Sequence, residues 1–140
     1  MASTRRSPTV EQVELHRQAE AAAANAYVPY SGFRVGAAIE LADGTVITGC
    51  NVENAAYSMA ICAERTAVVR AVAAGHDPRT MRSIAVFVEG GEGPPCGACR
   101  QVLVEFAPEA DVVFTTGGDL GVLLVGELLP AAFVPESLDA

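Results

Sequence analysis

The chain has 140 residues, 51% hydrophobic and 19% charged, which fits one folded domain with a buried core and excludes wholesale disorder. Its net charge is −8 and its nine basic residues are all Arg, so we expect no basic face for DNA or RNA. No apolar run approaches the ~18 residues that span a bilayer, and no apolar stretch follows Arg5-Arg6; the sequence therefore predicts neither a membrane segment nor a secretory signal, and a cytoplasmic protein.

The N-terminal part of the chain is predicted to be a tail followed by a helix. Residues 1–8 are expected to form a flexible tail, and residues 9–140 a single domain. Thr9 and Gln12 have the spacing of a capping box, in which a hydroxyl side chain and a Gln three positions later satisfy free N–H groups at a helix start. The sequence therefore predicts an Ala-rich helix from Thr9 to about Tyr27, before Pro29.

The middle of the chain is predicted to begin with a β-hairpin. Asp43-Gly44 lies between the apolar runs 34–42 and 45–51, and Asp-Gly is a strong signal for a two-residue hairpin turn. The remaining elements are predicted to be a loop at 52–61, helices at 62–74 and 97–106, strands at 83–89, 111–115 and 122–125, and a helical turn at 127–129. Strands that alternate with helices indicate a layered α/β domain, and the initial hairpin makes its sheet mixed.

Three cysteines occur at the starts of two predicted helices. Cys62 opens the first of these helices, and Cys96 and Cys99 form a C-x₂-C pair at the start of the second. In a reducing compartment such cysteines indicate metal ligands or catalytic thiols rather than disulfides. Helix N-termini favour thiolates, and three protein ligands with an open fourth position are typical of catalytic zinc.

A carboxylate follows the first of these cysteines. Glu64 lies two residues after Cys62, close enough to reach a metal-bound water without binding the metal itself. This combination is typical of a metal-activated water beside a proton shuttle. Cys50 lies on a predicted strand 12 residues before Cys62, and we interpret it as a buried core thiol.

Three segments together resemble the small, homotetrameric cytidine deaminases. They are Gly49-Cys50-Asn51-Val52-Glu53-Asn54, Ile61-Cys62-Ala63-Glu64-Arg65-Thr66 and Pro95-Cys96-Gly97-Ala98-Cys99-Arg100-Gln101-Val102. The resemblance runs from about Tyr27 to Phe133. It implies a three-layer α/β/α fold around a five-stranded mixed sheet, one Zn²⁺ per chain on Cys62, Cys96 and Cys99, and Glu64 as the catalytic acid/base.

The resemblance also implies substrate contacts. Asn51 and Glu53 match a pair that holds ribose hydroxyls, and Phe33 matches an aromatic ring that packs against the pyrimidine. Residues expected at the substrate also include Ala63, Pro94, Tyr57 and Phe133, of which the last two match residues that approach a site from neighbouring subunits. Many members have Ser or Thr in place of Pro94, which keeps the carbonyl expected to face the substrate amine but lacks the hydroxyl.

Two arginines adjoin the motif residues. Three thiolates around Zn²⁺ leave excess negative charge, which opposes ionisation of a bound water. Arg65 follows Glu64 and Arg100 follows Cys99, so we expect Arg65, and also Arg100, to contact the thiolates and offset that charge.

The predicted function is zinc-dependent deamination of cytidine and deoxycytidine, with a small nucleoside as substrate and no nucleic-acid or membrane partner. One alternative is a deaminase of another free aminopyrimidine nucleoside, such as a nucleoside antibiotic. Another is a polynucleotide deaminase, which the negative charge disfavours. A remote alternative is a non-catalytic zinc protein in which Cys50 completes a closed four-cysteine site.

Overall fold

In a computed structural model the described residues, 5–139, form a five-stranded sheet with helices on both faces. The helices are α1 (Val10–Ala23), α2 (Ala63–Ala73), α3 (Gly97–Phe106) and α4 (Val125–Leu128), and the strands are β1 (Val35–Leu41), β2 (Val46–Cys50), β3 (Met81–Val88), β4 (Asp111–Thr116) and β5 (Asp119–Leu124). Short 3₁₀ turns lie at Tyr57–Met59, Pro78–Thr80 and Pro135–Leu138. None of the helices in residues 5–139 is both long enough and apolar enough to cross a membrane.

The sheet is mixed, as predicted. Its strand order is β2-β1-β3-β4-β5, and only the β3–β4 pair is parallel. The predicted hairpin joins β1 to β2, with Gly44 at a φ of +87° that an L side chain would strain. Helix α3 provides the crossover that a parallel pair requires.

Two hydrophobic clusters make the fold three-layered, which confirms the predicted architecture. On one face, Leu15 and Ala19 of α1 pack against Ala38, Ala85 and Val113 of the sheet. On the other face, α2 and α3 pack against the sheet in a larger cluster that includes Ala67, Val68, Leu103, Ile84 and Val112. The starts of α2 and α3 therefore lie on the same side of the sheet.

Helix α1 begins as predicted but ends earlier. The Thr9 backbone N–H donates to Gln12 Oε1 at 3.0 Å, and the Gln12 N–H donates to Thr9 Oγ1 at 3.1 Å, completing the capping box. The helix ends at Ala23, whereas the sequence predicts about Tyr27. The prediction was wrong here because Tyr27 is paired in extended form, donating to the Asn51 carbonyl and accepting from the Glu53 N–H.

The end of the predicted tail is attached to the sheet. Met1–Thr4 lie outside the described residues, but Arg6 forms a two-bond bridge with Val122 of β5, at N···O distances of 2.9 and 2.8 Å. The Arg6 guanidinium also forms an ion pair with Asp111 at 2.7 Å. Arg5 and Arg6 are therefore not the loose, solvated tail that the sequence predicts, because the edge of β5 offers unpaired backbone groups.

Candidate active site

Three cysteine sulfurs converge where α2 and α3 begin. Cys62 is the N-cap of α2, Cys96 is the N-cap of α3, and Cys99 lies in the first turn of α3. Their Sγ atoms all lie within 4.8 Å of one another, and the Cys62–Cys96 distance is 3.9 Å. Tetrahedral Zn²⁺ with bonds of about 2.3 Å holds its sulfur ligands roughly 3.8 Å apart. The free thiols of this cluster therefore fit zinc in both chemistry and spacing.

Cys62 is positioned by a closed loop that the sequence predicts only as irregular. Val52 and Ile61 form an antiparallel bridge, with N···O distances of 3.0 and 2.9 Å in the two directions. The bridge closes the loop that contains the Tyr57–Met59 turn and directs the chain into α2. Cys62 follows Ile61 directly, so the bridge fixes where its sulfur lies.

Arg65 contacts the thiol cluster. Its Nη2 donates to Cys62 Sγ at 3.7 Å and to the Ala60 carbonyl at 3.3 Å. The pKa of Cys62 is lowered to about 5, because the Cys99 thiol donates to its sulfur and the Arg65 guanidinium lies beside it. The pKa of Cys99 is raised by its hydrogen bond to Cys62 and by burial. The negative charge of the metal-free cluster is therefore concentrated on Cys62.

Arg100 has a different set of partners from those expected. Its Nε donates to the Pro95 carbonyl at 2.8 Å and its Nη1 to the Leu128 carbonyl at 3.0 Å. Among the described residues no bond from Arg100 to a sulfur is found, so the expected thiolate contact was wrong. The guanidinium donates its hydrogen bonds to these two backbone carbonyls instead, and it thereby holds the loop just before Cys96 in place.

Glu64 is buried beside the sulfurs. It lies in the first turn of α2 and is only 4% exposed. Burial raises the pKa of its carboxyl, and the nearby negative charge of Cys62 raises it further. A carboxyl in this state holds a proton more readily than an exposed one, which is what an acid/base group in a deamination requires.

Glu64 lines a cavity of about 260 Å³ together with two of the three cysteines, Cys62 and Cys96. The predicted residues that line it are Phe33, Asn51, Cys62, Ala63, Glu64, Pro94 and Cys96. Sequence reasoning missed four others, which are Val35, Val86, Val88 and Glu92. Strand alternation could have placed Val86 and Val88 on one face of β3, but no motif pointed to Glu92.

Asn51 and Glu53 brace the backbone around Phe33. The Asn51 side chain donates to the Phe33 carbonyl at 2.8 Å and accepts from the Val35 N–H at 2.9 Å. Glu53 accepts from the N–H groups of Tyr30 and Ser31, both at 3.1 Å, and from the Ser31 hydroxyl. These bonds, led by that of the hydroxyl, lower the pKa of Glu53, which stays ionised.

A second cavity is lined by two of the predicted substrate residues that do not line the first. It has a volume of about 320 Å³ and is lined by Glu53 and Tyr57, together with Tyr30, Ser31, Asn54 and Ala60. Tyr57 is 77% exposed, and Phe133 is 61% exposed and lines neither cavity. A single chain therefore brings Asn51 and Phe33 to Glu64 but leaves Tyr57 and Phe133 on the surface.

Cys50 lies apart from the cluster. It is half-buried at the end of β2 and lines a different cavity, together with Asn25, Thr48 and Arg70. Within residues 5–139, Cys62, Cys96 and Cys99 are the only group of three or more potential metal ligands that converges. The closed four-cysteine alternative therefore lacks its fourth sulfur.

Comparisons with known proteins match this geometry. The model of the family described as "Cytidine and deoxycytidylate deaminase zinc-binding region" matches residues 9–116. The chain is 49% identical over 129 residues to a cytidine deaminase of Sporosarcina psychrophila, covering 89% of this chain and 93% of the relative. The crystal structure of a cytidine deaminase from Burkholderia pseudomallei is 50% identical, covers 90% of this chain and 100% of its own, and has a TM-score of 0.82.

One alternative activity also has a relative. A blasticidin-S deaminase of Bacillus cereus, which is named for a nucleoside antibiotic, is 29% identical over 112 residues, or 71% of this chain and 76% of the relative. The similarity to that protein is weaker and shorter than the similarity to the cytidine deaminases. The comparisons therefore disfavour the antibiotic alternative.

Proposed function

The chain belongs to the family of zinc-binding cytidine and deoxycytidylate deaminases, and we propose that it hydrolyses the 4-amino group of cytidine and deoxycytidine. The products are uridine or deoxyuridine and ammonia. The observation that carries this proposal is the convergence of three thiols and the buried Glu64 at one cavity. Conversion of cytosine nucleosides to uracil nucleosides makes them available for reuse, so we assign the enzyme to pyrimidine salvage.

Glu64 moves the protons of the reaction. Cys62, Cys96 and Cys99 would hold the zinc ion, which would supply the Lewis acid that lowers the pKa of the attacking water. Glu64 accepts the proton that the attacking water loses as its oxygen adds at C4, and delivers that proton to ring N3. It then takes the remaining proton from the new C4 hydroxyl and transfers it to the amine, so that the C4–N bond breaks, ammonia leaves and the C4 carbonyl forms. The raised pKa of Glu64 supports this role, since the carboxyl must hold each proton between transfers.

The substrate is held by residues on the two sides of the cavity. Phe33 packs against the pyrimidine, and Asn51 and Glu53 bind the sugar hydroxyls. Ala63 and the Pro94 carbonyl face the polar edge of the base. The bonds from Asn51 and Glu53 to the 30–35 backbone support this assignment, because they lock the Phe33 segment in place before substrate arrives.

Arg65 adjusts the charge of the metal site without binding the metal itself. Its guanidinium offsets part of the charge of three thiolates and limits the rotation of the Cys62 side chain. Arg100 acts indirectly, because it holds the Pro95 carbonyl next to Cys96. We assign both as supporting residues of the zinc site.

We propose that four copies assemble and complete each other's sites. Tyr57, which lines the second cavity, and Phe133 are exposed aromatic residues, and Val69 and Val72 expose apolar surface on α2. Side chains of this kind are enriched at subunit interfaces. The partner is therefore a second copy of the chain, whereas the net charge of −8 disfavours a nucleic acid. The unpaired thiols support a cytoplasmic location, where they stay reduced.

The test is a substrate panel. Purified protein, with its zinc content measured, is incubated with cytidine, deoxycytidine, cytosine and CMP, and loss of the aminopyrimidine is followed by ultraviolet absorbance. We expect turnover of the two nucleosides and its loss with a chelator. The chain has no Trp, so protein absorbance interferes little. A zinc-loaded protein that converts neither nucleoside contradicts the proposal, and turnover of blasticidin S alone would favour the antibiotic alternative.

A further inference from the structure

Glu92 is a second carboxylate at the cavity that contains Glu64. It lies in the loop between β3 and α3, and it lines the same cavity as Glu64 and Cys96. Unlike Glu64, which is 4% exposed, Glu92 is exposed at the opening. A substrate that enters the cavity therefore meets the side chain of Glu92.

The Glu92 carboxylate is held in place by the β4–β5 hairpin. Its Oε1 accepts from the Gly117 N–H at 3.0 Å, at the tip of the hairpin. The adjacent Gly93 N–H donates to the Thr115 carbonyl, also at 3.0 Å. A Cβ added to Gly93 would lie 3.2 Å from the Val86 carbonyl oxygen, so the loop lies close against the sheet. Within residues 5–139, Glu92 Oε2 has no hydrogen-bond partner and remains available to the cavity.

The charged side chains that line the cavity are of one sign. Among the described residues, 5–139, the lining includes Glu64 and Glu92 but no Arg or His. The second cavity adds Glu53, again without a cationic side chain. A phosphate monoester carries about −1.5 to −2 charges at neutral pH. A nucleotide would therefore bring this charge towards carboxylates with no lining cation to offset it.

We propose that Glu92 is a specificity-determining residue whose carboxylate disfavours 5′-phosphorylated substrates, so that the site accepts nucleosides in preference to nucleotides. The inference rests on the proposed deaminase function and extends it. The description of the matching family names both a nucleoside, cytidine, and a nucleotide, deoxycytidylate. Glu92 provides that discrimination as a fixed negative charge.

The test compares deoxycytidine with deoxycytidylate in the wild type and in Glu92→Gln. Gln keeps an oxygen that can accept from Gly117 and removes only the charge. The ratio of kcat/KM for deoxycytidylate to that for deoxycytidine should rise about five- to tenfold, the order expected when one charge that repels a nearby phosphate in high dielectric is removed. The gain should appear mainly as a lower KM for deoxycytidylate. Because the result is a ratio, any loss common to both substrates cancels.

The matched control is Glu89→Gln. Glu89 lies in the same loop, is exposed and does not line the cavity, and its substitution changes the net charge equally. It should leave the ratio unchanged. Raising the ionic strength should narrow the discrimination of the wild type and affect Glu92→Gln less, since salt screens exposed charges.

Two outcomes would overturn the role of Glu92. One is an unchanged ratio in Glu92→Gln; a higher KM for both substrates in Glu92→Ala would then make Glu92 only an anchor for the loop. The other is an equal change of the ratio in Glu89→Gln. Wild-type turnover of deoxycytidine with any of these outcomes leaves the deaminase function standing, whereas no turnover of deoxycytidine contradicts that function itself.

Discussion

Cys62 and Glu64 lie two positions apart, and their surroundings shift their pKa values in opposite directions. Burial and the charge on Cys62 raise the pKa of Glu64, whereas hydrogen bonds from Cys99 and then Arg65 lower the pKa of Cys62. The carboxyl is thus suited to hold protons and the sulfur to bind a metal. The two tendencies differ because one side chain is buried and the other accepts hydrogen bonds that favour its charged form.

Glu64→Gln should keep about one zinc per chain and the fold, since Gln has the same shape and the three sulfurs are untouched. Turnover should fall by at least the roughly 10²–10⁴-fold typical of a general acid–base group. Steady-state kinetics with cytidine and metal analysis test this. Activity within tenfold of the wild type would remove Glu64 from the mechanism.

After removal of the metal, Cys62 and Cys99 should differ in their reactivity towards an alkylating agent. After chelation, iodoacetamide should alkylate Cys62 first, because its pKa of about 5 leaves it as thiolate at neutral pH, whereas the pKa of Cys99 is raised. The alkylation rate should fall as the pH is lowered through about 5. Arg65→Gln should move that midpoint upward, and zinc should protect all three sulfurs. Mass spectrometry of the peptides measures each site, and preferential labelling of Cys99 would contradict the assignment.

At the scale of elements, glycines let α1 and α2 approach the sheet closely. A Cβ added to Gly36 of β1 would lie 1.8 Å from the Ala19 carbonyl oxygen of α1. A Cβ added to Gly49 of β2 would lie 2.5 Å from Ala67 N and 2.6 Å from the Ala63 carbonyl oxygen, both in α2. The contacts are with backbone atoms, so no side chain can move aside to relieve them. Gly49 therefore sets the position of the helix that bears Cys62 and Glu64.

Gly49→Ala should lower the free energy of unfolding by about 1–3 kcal/mol, the usual cost of overpacking, or more if α2 cannot shift. Zinc affinity should fall as well, since Cys62 caps that helix. Urea denaturation and a zinc competition assay measure the two effects. Gly97→Ala is the control for stability, because no heavy atom lies within 4 Å of its added Cβ. A Gly49→Ala protein as stable as that control would mean that α2 is not held as the structure indicates.

Cys50→Ala should leave zinc content and activity largely unchanged. Cys50 ends β2 in a separate cavity, and three thiolates with one open position already satisfy catalytic zinc. Metal analysis and X-ray absorption of the wild type test this together. Loss of zinc from the variant, with four sulfurs around the metal in the wild type, would restore the closed site.

At the scale of the whole molecule, the C-terminal segment presents Phe133 to solvent. The Phe133 carbonyl accepts from the Gln101 side chain at 2.9 Å, which fixes the segment on α3 while the ring stays 61% exposed. An aromatic ring held outward in this way is suited to a site on a neighbouring copy. Within a single chain, therefore, the predicted substrate contact Phe133 lines neither of the two cavities.

Truncation after Pro130 should raise KM or weaken assembly, because it removes Phe133, which in the proposed tetramer completes a neighbouring site. Light scattering gives the mass of the assembly, and nucleoside kinetics give KM. Phe133→Ala separates the ring from the rest of the segment, since it keeps the carbonyl that Gln101 binds. A truncated protein that remains tetrameric with unaltered kinetics would show that the segment has no such role.

Local sequence signals predicted which helices and turns form better than they predicted where a helix ends or which distant residues pair. The capping box at Thr9 and Gln12 involves atoms three residues apart, and the turn that contains Asp43-Gly44 is closed by backbone bonds between Leu41 and residues three and four positions later, so both follow from nearby residues alone. The end of α1 could not be predicted, because Tyr27 leaves the helix to pair with Asn51 and Glu53. The attachment of Arg6 to Val122 likewise depends on an edge strand formed more than a hundred residues later.

The sequence by itself determined the chemistry of the site: thiols at two helix starts, and a carboxylate two residues after one of them. Tertiary structure alone decided that sulfurs 34 residues apart meet at 3.9 Å, that Arg100 turns to the Pro95 carbonyl, and that Glu92 reaches the cavity. The physical reason is the distance along the chain over which each kind of interaction acts. Capping and turn formation act within about four residues, whereas packing of α2 and α3 on one face of the sheet is driven by burial of apolar surface contributed by the whole chain.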